Sequence, residues 1–350
     1  MLAFAECRTF VGIASTQSVI IQSSSSRFTK GVFAGAGDGC EPLHPNATTH
    51  SKAPRDICQK SSYDGGRTWG PLRVIASNGA QGSPVWDTVR KRMVLQYTEL
   101  PCGRTACADT KQMFSTDNGE SWTQPESICG SSPGKLPSDA CGGEVGPGVG
   151  IQLKTKGPTH GRLLWIGHYG AYGHDTVWYS DDGGATYQVA AGNQLEHMDE
   201  AQLVELPNGD VLANMRSSHY NRTCDCRAVS RSTDGGSSFG PIEWAADLTS
   251  PVCAGTVLRG PGDQTYFANP SSKTARMDGV IRRSGDGFTW SGQGTAHKTV
   301  FAGAYAYSCL TNLPSSDRVG LLWETDGPQC KADGGQSCRT VFSTFDAALL

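Results

Sequence analysis

The chain of 350 residues has no apolar run of about eighteen residues, so no segment of it reads as a bilayer-spanning helix. It has no excess of one charge. Its 30 Lys and Arg stand against 33 Asp and Glu, a formal −3, which gives no reason to expect nucleic acid or an anionic membrane as a partner. Its 13 cysteines include no Cys-x-x-Cys pair. That weighs against a zinc site and for loop disulfides in an oxidising compartment. A signal peptide is missing too, because Met1-Leu2-Ala3-Phe4-Ala5 is too short and runs straight into Glu6 and Arg8. The secretory pathway is the expected location, with the targeting segment absent from this chain and the N-terminus incomplete. Long helical periodicity is also scarce.

What is abundant points to strands and turns: Gly 44 and Pro 18, with short β-rich runs between them. Several cysteines lie close in sequence, namely Cys102 and Cys107, Cys129 and Cys141, Cys224 and Cys226, and Cys330 and Cys338. The odd count leaves at least one thiol over. Two sequons, Asn46-Ala47-Thr48 and Asn221-Arg222-Thr223, agree with a secreted type of chain.

The strongest signal is a box, Ser-x-Asp-x-Gly-x-Ser/Thr-aromatic, that occurs five times. Its aspartates are Asp64, Asp117, Asp182, Asp234 and Asp286, the last in a copy one residue short. The recurrence at about fifty residues is the scale of a four-stranded propeller blade. In each box the Asp-Gly-Gly or Asp-Asn-Gly core reads as a hairpin turn, with the aspartate bonding the amides ahead and the aromatic closing the blade edge. A calcium loop is the competing reading, but no box carries the twelve-residue ligand series that ends in a bidentate Glu. The boxes are structural and do not themselves mark a site.

Ionisable residues between the boxes carry the chemistry. Asp199 to Arg216 reads as a hairpin turning at Pro207-Asn208-Gly209, which brings Glu200 and Arg216 to one rim. Taken alone, that is a cross-strand ion pair. Arg276 taken alone is a surface arginine, and Tyr307, in Ala304-Tyr305-Ala306-Tyr307-Ser308, is a packing tyrosine.

Together these features resemble the exo-sialidases (neuraminidases). The resemblance rests on the Asp boxes, Leu2-Ala3-Phe4-Ala5-Glu6-Cys7-Arg8, Gly146-Pro147-Gly148, Glu200 through Arg216, Arg276, Ala306-Tyr307-Ser308 and the closing run Val319 to Glu324. The match runs from residue 2 to about residue 346. It implies one all-β domain over residues 1–350, a six-bladed β-propeller of four-stranded antiparallel blades. Residues 12–35, Ser-rich in part, are expected to be an insertion or a disordered loop.

The resemblance also implies the chemistry. Partners would be sialylated glycans or glycolipids, with no metal or organic cofactor. Arg216 and Arg276 match the second and third members of a three-arginine clamp on the substrate carboxylate, while the sequence carries no match to the first. Arg8 and Glu6 would line the pocket. Tyr307 would be the nucleophile, relieved of its proton by Glu200, and Asp38 the general acid/base, though Asp38 also reads as a turn aspartate. His168, Tyr169 and Asp175 are candidates for substrate selection. A catalytically impaired sialoside-binding propeller and a trans-sialidase are the alternatives.

Overall fold

A computed structural model describes residues 7–14, 19–26, 55–99, 108–169, 173–192, 195–217, 224–292, 295–313, 317–325 and 339–350. The described strands form six antiparallel sheets that follow one another along the chain. The first joins Cys7–Ala14, Val19–Ser26, Arg55–Ser62 and Arg73–Ser77, and the second runs from Gly79–Asp87 to Glu126–Ser127. The third spans Glu144–Val145 to Leu195–Glu196 and the fourth Met198–Glu205 to Glu243–Thr249. The fifth spans Thr256–Arg259 to Ala296–Ala304 and the sixth Ser308–Asn312 to Arg339–Asp346. The first strand of one sheet touches the first strand of the next: Met198–Glu205 meets Thr256–Arg259, which meets Ser308–Asn312. Cys7–Ala14 touches both Ser308–Asn312 and Gly79–Asp87. The architecture is an all-β propeller.

Four strands per blade holds for four of the described sheets. The sixth has three, and the third has six. In the third sheet, Glu144–Val145 and Ile151–Gln152 each pair with Leu163–Tyr169. Gly146-Pro147-Gly148 separates them. Pro147 has no N–H for the ladder and both glycines take positive φ (82° and 138°), so one inner strand becomes two. Within the stretch expected to be an insertion or disordered loop, Val19–Ser26 is a strand that pairs with Cys7–Ala14 on one edge and Arg55–Ser62 on the other. Residues 15–18 and 27–35 lie outside the described residues.

Burial falls off toward the last strand of the fourth and fifth sheets. Every residue of Met198–Glu205 and Val211–Ser217 is buried, whereas Ala296–Ala304, last in its sheet, is mostly exposed. Leu164, Ile166, Val177, Met198, Leu203, Ala213 and Met215 fill the seam between the third and fourth sheets. Such a wedge of interdigitated side chains between face-packed sheets excludes water from the backbone that carries the site.

The boxes are hydrogen-bonded as their sequence predicts. In the third, Asp182 Oδ1 accepts from Ser180 Oγ at 2.8 Å, Ala185 N at 3.0 Å and Thr186 N at 2.8 Å, and Oδ2 accepts from Thr186 Oγ1 at 2.6 Å. A second function was not legible: each box also latches onto the neighbouring sheet. Gln59 Nε2 donates to Gly119 O at 2.9 Å, Gln112 Nε2 to Gly184 O at 2.9 Å and Arg162 Nη1 to Gly235 O at 3.1 Å. Gly66, at φ 87°, abuts the sixth sheet so closely that a Cβ would collide with the Phe342 ring, and Trp69 packs edge-on to Phe342 at 5.2 Å.

Partial burial pushes the Asp182 carboxyl up, but the bonds from Thr186, Ser180 and Ala185 outweigh it and hold it below the usual range. The same balance lowers Asp117 and Asp234, and takes Asp286 down to about 2. At Asp64 the hydrogen bonds from Thr68 dominate outright. A carboxyl depressed in the folded state stabilises above its unfolded pKa of about 4, and that contribution is lost as pH falls through the folded value. Melting temperature should therefore drop between about pH 4 and pH 2. Asp182→Ala should cost roughly 1–3 kcal/mol at neutral pH and flatten that drop. A melting temperature unchanged by the substitution would contradict the staple reading.

Two disulfides form among the described residues, Cys129–Cys141 and Cys224–Cys226. Cys102, Cys107, Cys330 and Cys338 and both sequons lie outside them. No helix among the described residues is long and apolar enough to cross a membrane.

Candidate active site

The hairpin forms as expected, with Met198–Glu205 and Val211–Ser217 paired across a turn in which Gly209 N donates to Leu206 O at 2.9 Å. Its register differs from a simple pairing of Glu200 with Arg216. Arg216 pairs with Asp199 and Met215 with Ala201, so Glu200 is the extra residue of a β-bulge. A bulge sets two residues opposite one. Here both are carboxylates and the one opposite is a guanidinium. Arg216 Nε lies 3.1 Å from Asp199 Oδ2, and Arg216 Nη1 donates to Glu200 Oε2. All three residues are buried: 3 % exposed for Asp199, 5 % for Glu200 and 5 % for Arg216.

Tyr307 arrives from the sixth sheet, just ahead of Ser308–Asn312. Its backbone is fixed by Glu324 N donating to Tyr307 O at 2.9 Å, and its neighbour Tyr305 is wholly buried and stacked on Trp323 at 5.3 Å. The phenol donates to Glu200 Oε1 at 2.5 Å, and Arg216 Nη1 lies 3.5 Å from the same phenolic oxygen. Arg276 enters from the fifth sheet. It is exposed, its Nη2 donates to Val252 O at 3.1 Å, and its guanidinium carbon sits 5.2 Å from the centre of the Tyr307 ring. Four residues singled out in the sequence, Glu200, Arg216, Arg276 and Tyr307, thus converge from three sheets.

Electrostatics sort these groups. Burial pushes the Glu200 carboxyl up, but Arg216, His168 and the Tyr307 hydroxyl outweigh it, leaving Glu200 below the usual carboxylate range. Burial raises the Tyr307 phenol well above its ordinary value, and the Glu200 charge raises it further against Arg216 and Arg276. The resting pair is a neutral phenol hydrogen-bonded to a carboxylate. Burial raises Asp199, with Glu200 adding to it and Arg216 opposing.

Among the three selection candidates, only His168 reaches this cluster. Its Nε2 lies 3.5 Å from Asp199 Oδ1 and 3.9 Å from Glu144 Oε2, and Gln81 Nε2 donates to the same Glu144 oxygen at 2.7 Å. Tyr169 is a packing residue, donating to Ala140 O at 2.5 Å and stacking on His174 at 5.3 Å. Asp175 is 0 % exposed with no hydrogen-bond partner on either oxygen. Burial, then Asp199 and Glu200, push its carboxyl well above the usual range. It cannot meet a ligand. Arg8 lies on the described strand Cys7–Ala14, while Glu6 and Asp38 lie outside the described residues.

Two buried charged residues in or beside this cluster were missed from the sequence. Asp199 was read only as the start of the hairpin, and the signal for it was the Asp-Glu doublet facing a lone arginine. Arg227 was not singled out at all. It is 0 % exposed, donates to Asn214 Oδ1 and to Cys253 O, both at 2.8 Å, and burial lowers it to about 10. Among the described residues, the donors spaced closely enough for a metal are Asp109, Cys129 and Cys141, none of them in this cluster, and the two cysteines are bonded to each other.

Known proteins resemble this chain. Residues 56–316 match the family described as BNR repeat-like domain. A sialidase of Micromonospora viridifaciens is 33% identical over 308 residues, covering 77% of this chain and 45% of that protein. Human Sialidase-4 is 26% identical over 265 residues, covering 63% of this chain and 52% of that one. This chain thus spans about half the length of these curated relatives. A leech intramolecular trans-sialidase, solved with 2,7-anhydro-Neu5Ac, superposes with a TM-score of 0.76 at 17% identity over 100% of this chain and 71% of that one.

Proposed function

The chain belongs to the sialidase family built on BNR repeats, and we propose that it is an exo-α-sialidase, releasing terminal α-linked sialic acids from glycans or glycolipids with retention. The observation that carries this is the hydrogen bond of the Tyr307 phenol to Glu200, with the Arg216 and Arg276 guanidinia around it. Arginines suit a substrate carboxylate because they stay charged and can bind it bidentately. The carboxylate next to the anomeric carbon repels an anionic nucleophile and tolerates a neutral phenol. Sialidases with a tyrosine nucleophile accordingly depart from the two-carboxylate scheme of most glycosidases.

In the proposed reaction the Tyr307 oxygen bonds to the anomeric carbon as the glycosidic C–O bond breaks. Glu200 takes the phenolic proton, and a pocket acid protonates the leaving oxygen, a role for which Asp38 is the candidate. Water then displaces Tyr307 by the reverse proton path. The six sheets read as six blades of one ring, supported by the contact of Trp69 in the first sheet with Phe342 in the sixth. The disulfides support an oxidising compartment, and we place the protein in the secretory pathway.

The test is release of fluorophore from a 4-methylumbelliferyl α-sialoside by the full chain between pH 4 and 7. Absence of release from folded protein contradicts the proposal. Arg276→Ala should raise KM by about tenfold or more, the scale of one lost charge-assisted hydrogen bond, with a smaller effect on kcat. An unchanged KM would remove Arg276 from the clamp.

A further inference from the structure

The proposed chemistry gives Asp199 no task, yet Asp199 spends its contacts on the groups that do the chemistry. Its Oδ1 accepts from the Glu200 N–H at 2.8 Å and lies 3.5 Å from His168 Nε2, while its Oδ2 lies 3.1 Å from Arg216 Nε. At 3 % exposure it offers little surface to a ligand. Glu200 holds Arg216 at a different nitrogen, Nη1. A guanidinium held at one nitrogen can still pivot about that contact. With a second buried carboxylate on its Nε side, the guanidinium is ion-paired at two points and that pivot is restrained. The bulge makes this possible, since without the extra residue the two consecutive side chains would project to opposite faces of the sheet.

We infer that Asp199 is a positioning residue: by its buried ion pair it restrains Arg216, and through Arg216 the Glu200–Tyr307 pair, without touching substrate. The kinetic consequence rests on the sialidase reading above; the geometric one does not.

A double-mutant cycle separates this role from a general structural one. Lysine at position 216 has a single side-chain nitrogen and cannot be ion-paired at two separate ones by Asp199 and Glu200. Asp199→Asn in the otherwise unchanged chain should lower kcat/KM by about tenfold or more, on the scale of a lost charge-assisted contact. In the Arg216→Lys background the same substitution should change the residual kcat/KM by less than about twofold. Equal losses in both backgrounds would overturn the inference, because a merely structural aspartate is needed whichever cation stands opposite. If Asp199→Asn does not fold, Asp199→Ser, which also removes the charge and leaves an acceptor for the Glu200 amide, carries the cycle. If the unsubstituted chain turns nothing over, the sialidase reading fails by itself, and nitrogen-15 NMR of the full chain decides the inference. The Arg216 Nε–H signal, assigned by its loss in Arg216→Lys, should shift in Asp199→Asn, where the charge 3.1 Å from that nitrogen is gone. A signal that does not move would overturn it.

Discussion

Replacing Tyr307 by Phe should lower kcat/KM for a 4-methylumbelliferyl α-sialoside by about 10³-fold or more, roughly 4 kcal/mol of transition-state stabilisation. The substitution removes one oxygen and little else. Packing should survive, because the neighbouring contacts belong to other atoms: Tyr305 stacks on Trp323, and the Tyr307 backbone is held by Glu324 N. The melting temperature should therefore stay close to that of the unsubstituted chain, since leaving Glu200 with Arg216 still satisfies its charge. Substrate affinity should also persist, as the two arginines remain. Activity that survived Tyr307→Phe would assign the covalent step, or the whole reaction, to another group.

Glu200→Gln should have the next largest effect, a loss of about 10²–10⁴-fold in kcat/KM, the range for a positioned general base. The pH profile gives a second readout. Glu200 sits below the usual carboxylate range because Arg216, His168 and the Tyr307 hydroxyl outweigh its burial. A base with a depressed pKa stays ionised as pH falls, so the Glu200 limb of the kcat/KM profile should lie below about pH 4, the ordinary carboxylate value. With Gln at position 200 that limb should vanish from the residual activity. A limb that remained in the variant would belong to a different acid. Glutamine also leaves Arg216 with one buried carboxylate fewer, so this variant, unlike Tyr307→Phe, should melt lower than the unsubstituted chain.

What could be read from the sequence followed the range of the interactions. Each Asp box closes its hydrogen bonds within about eight residues, so the turn chemistry and the propeller were legible from one repeat and its period. The Asp199–Arg216 hairpin was legible for the same reason, through Pro207-Asn208-Gly209 and the alternation on either side. The bulge was not. One extra residue at Glu200 leaves the alternation further along the strand intact, and only the packing of Asp199 and Glu200 onto Arg216 selects that register. The latches between sheets were invisible because their partners, such as Gln59 and Gly119, stand on different sheets. Arg227 and Asp175 were invisible in their burial: a charged residue in a short strand carries no mark of whether it faces water. His168 and Asp175 are register partners on adjacent strands, yet one reaches Asp199 while the other is sealed inside. The Arg-Glu-Tyr-Arg convergence itself was legible through resemblance, since no local pattern links residues 200, 216, 276 and 307.

A covalent bond from Tyr307 to the sugar tests the proposed mechanism most directly. A sialosyl fluoride carrying a second fluorine beside the anomeric carbon has a good leaving group, and the added fluorine destabilises the cationic transition state of breakdown, so the sialyl-enzyme should accumulate. Digestion and mass spectrometry then locate the adduct. One sugar per chain on the peptide containing Tyr307, absent from Tyr307→Phe, is the expected result. An adduct on Glu200, or no adduct at any residue in a chain that hydrolyses the fluorogenic sialoside, would contradict it.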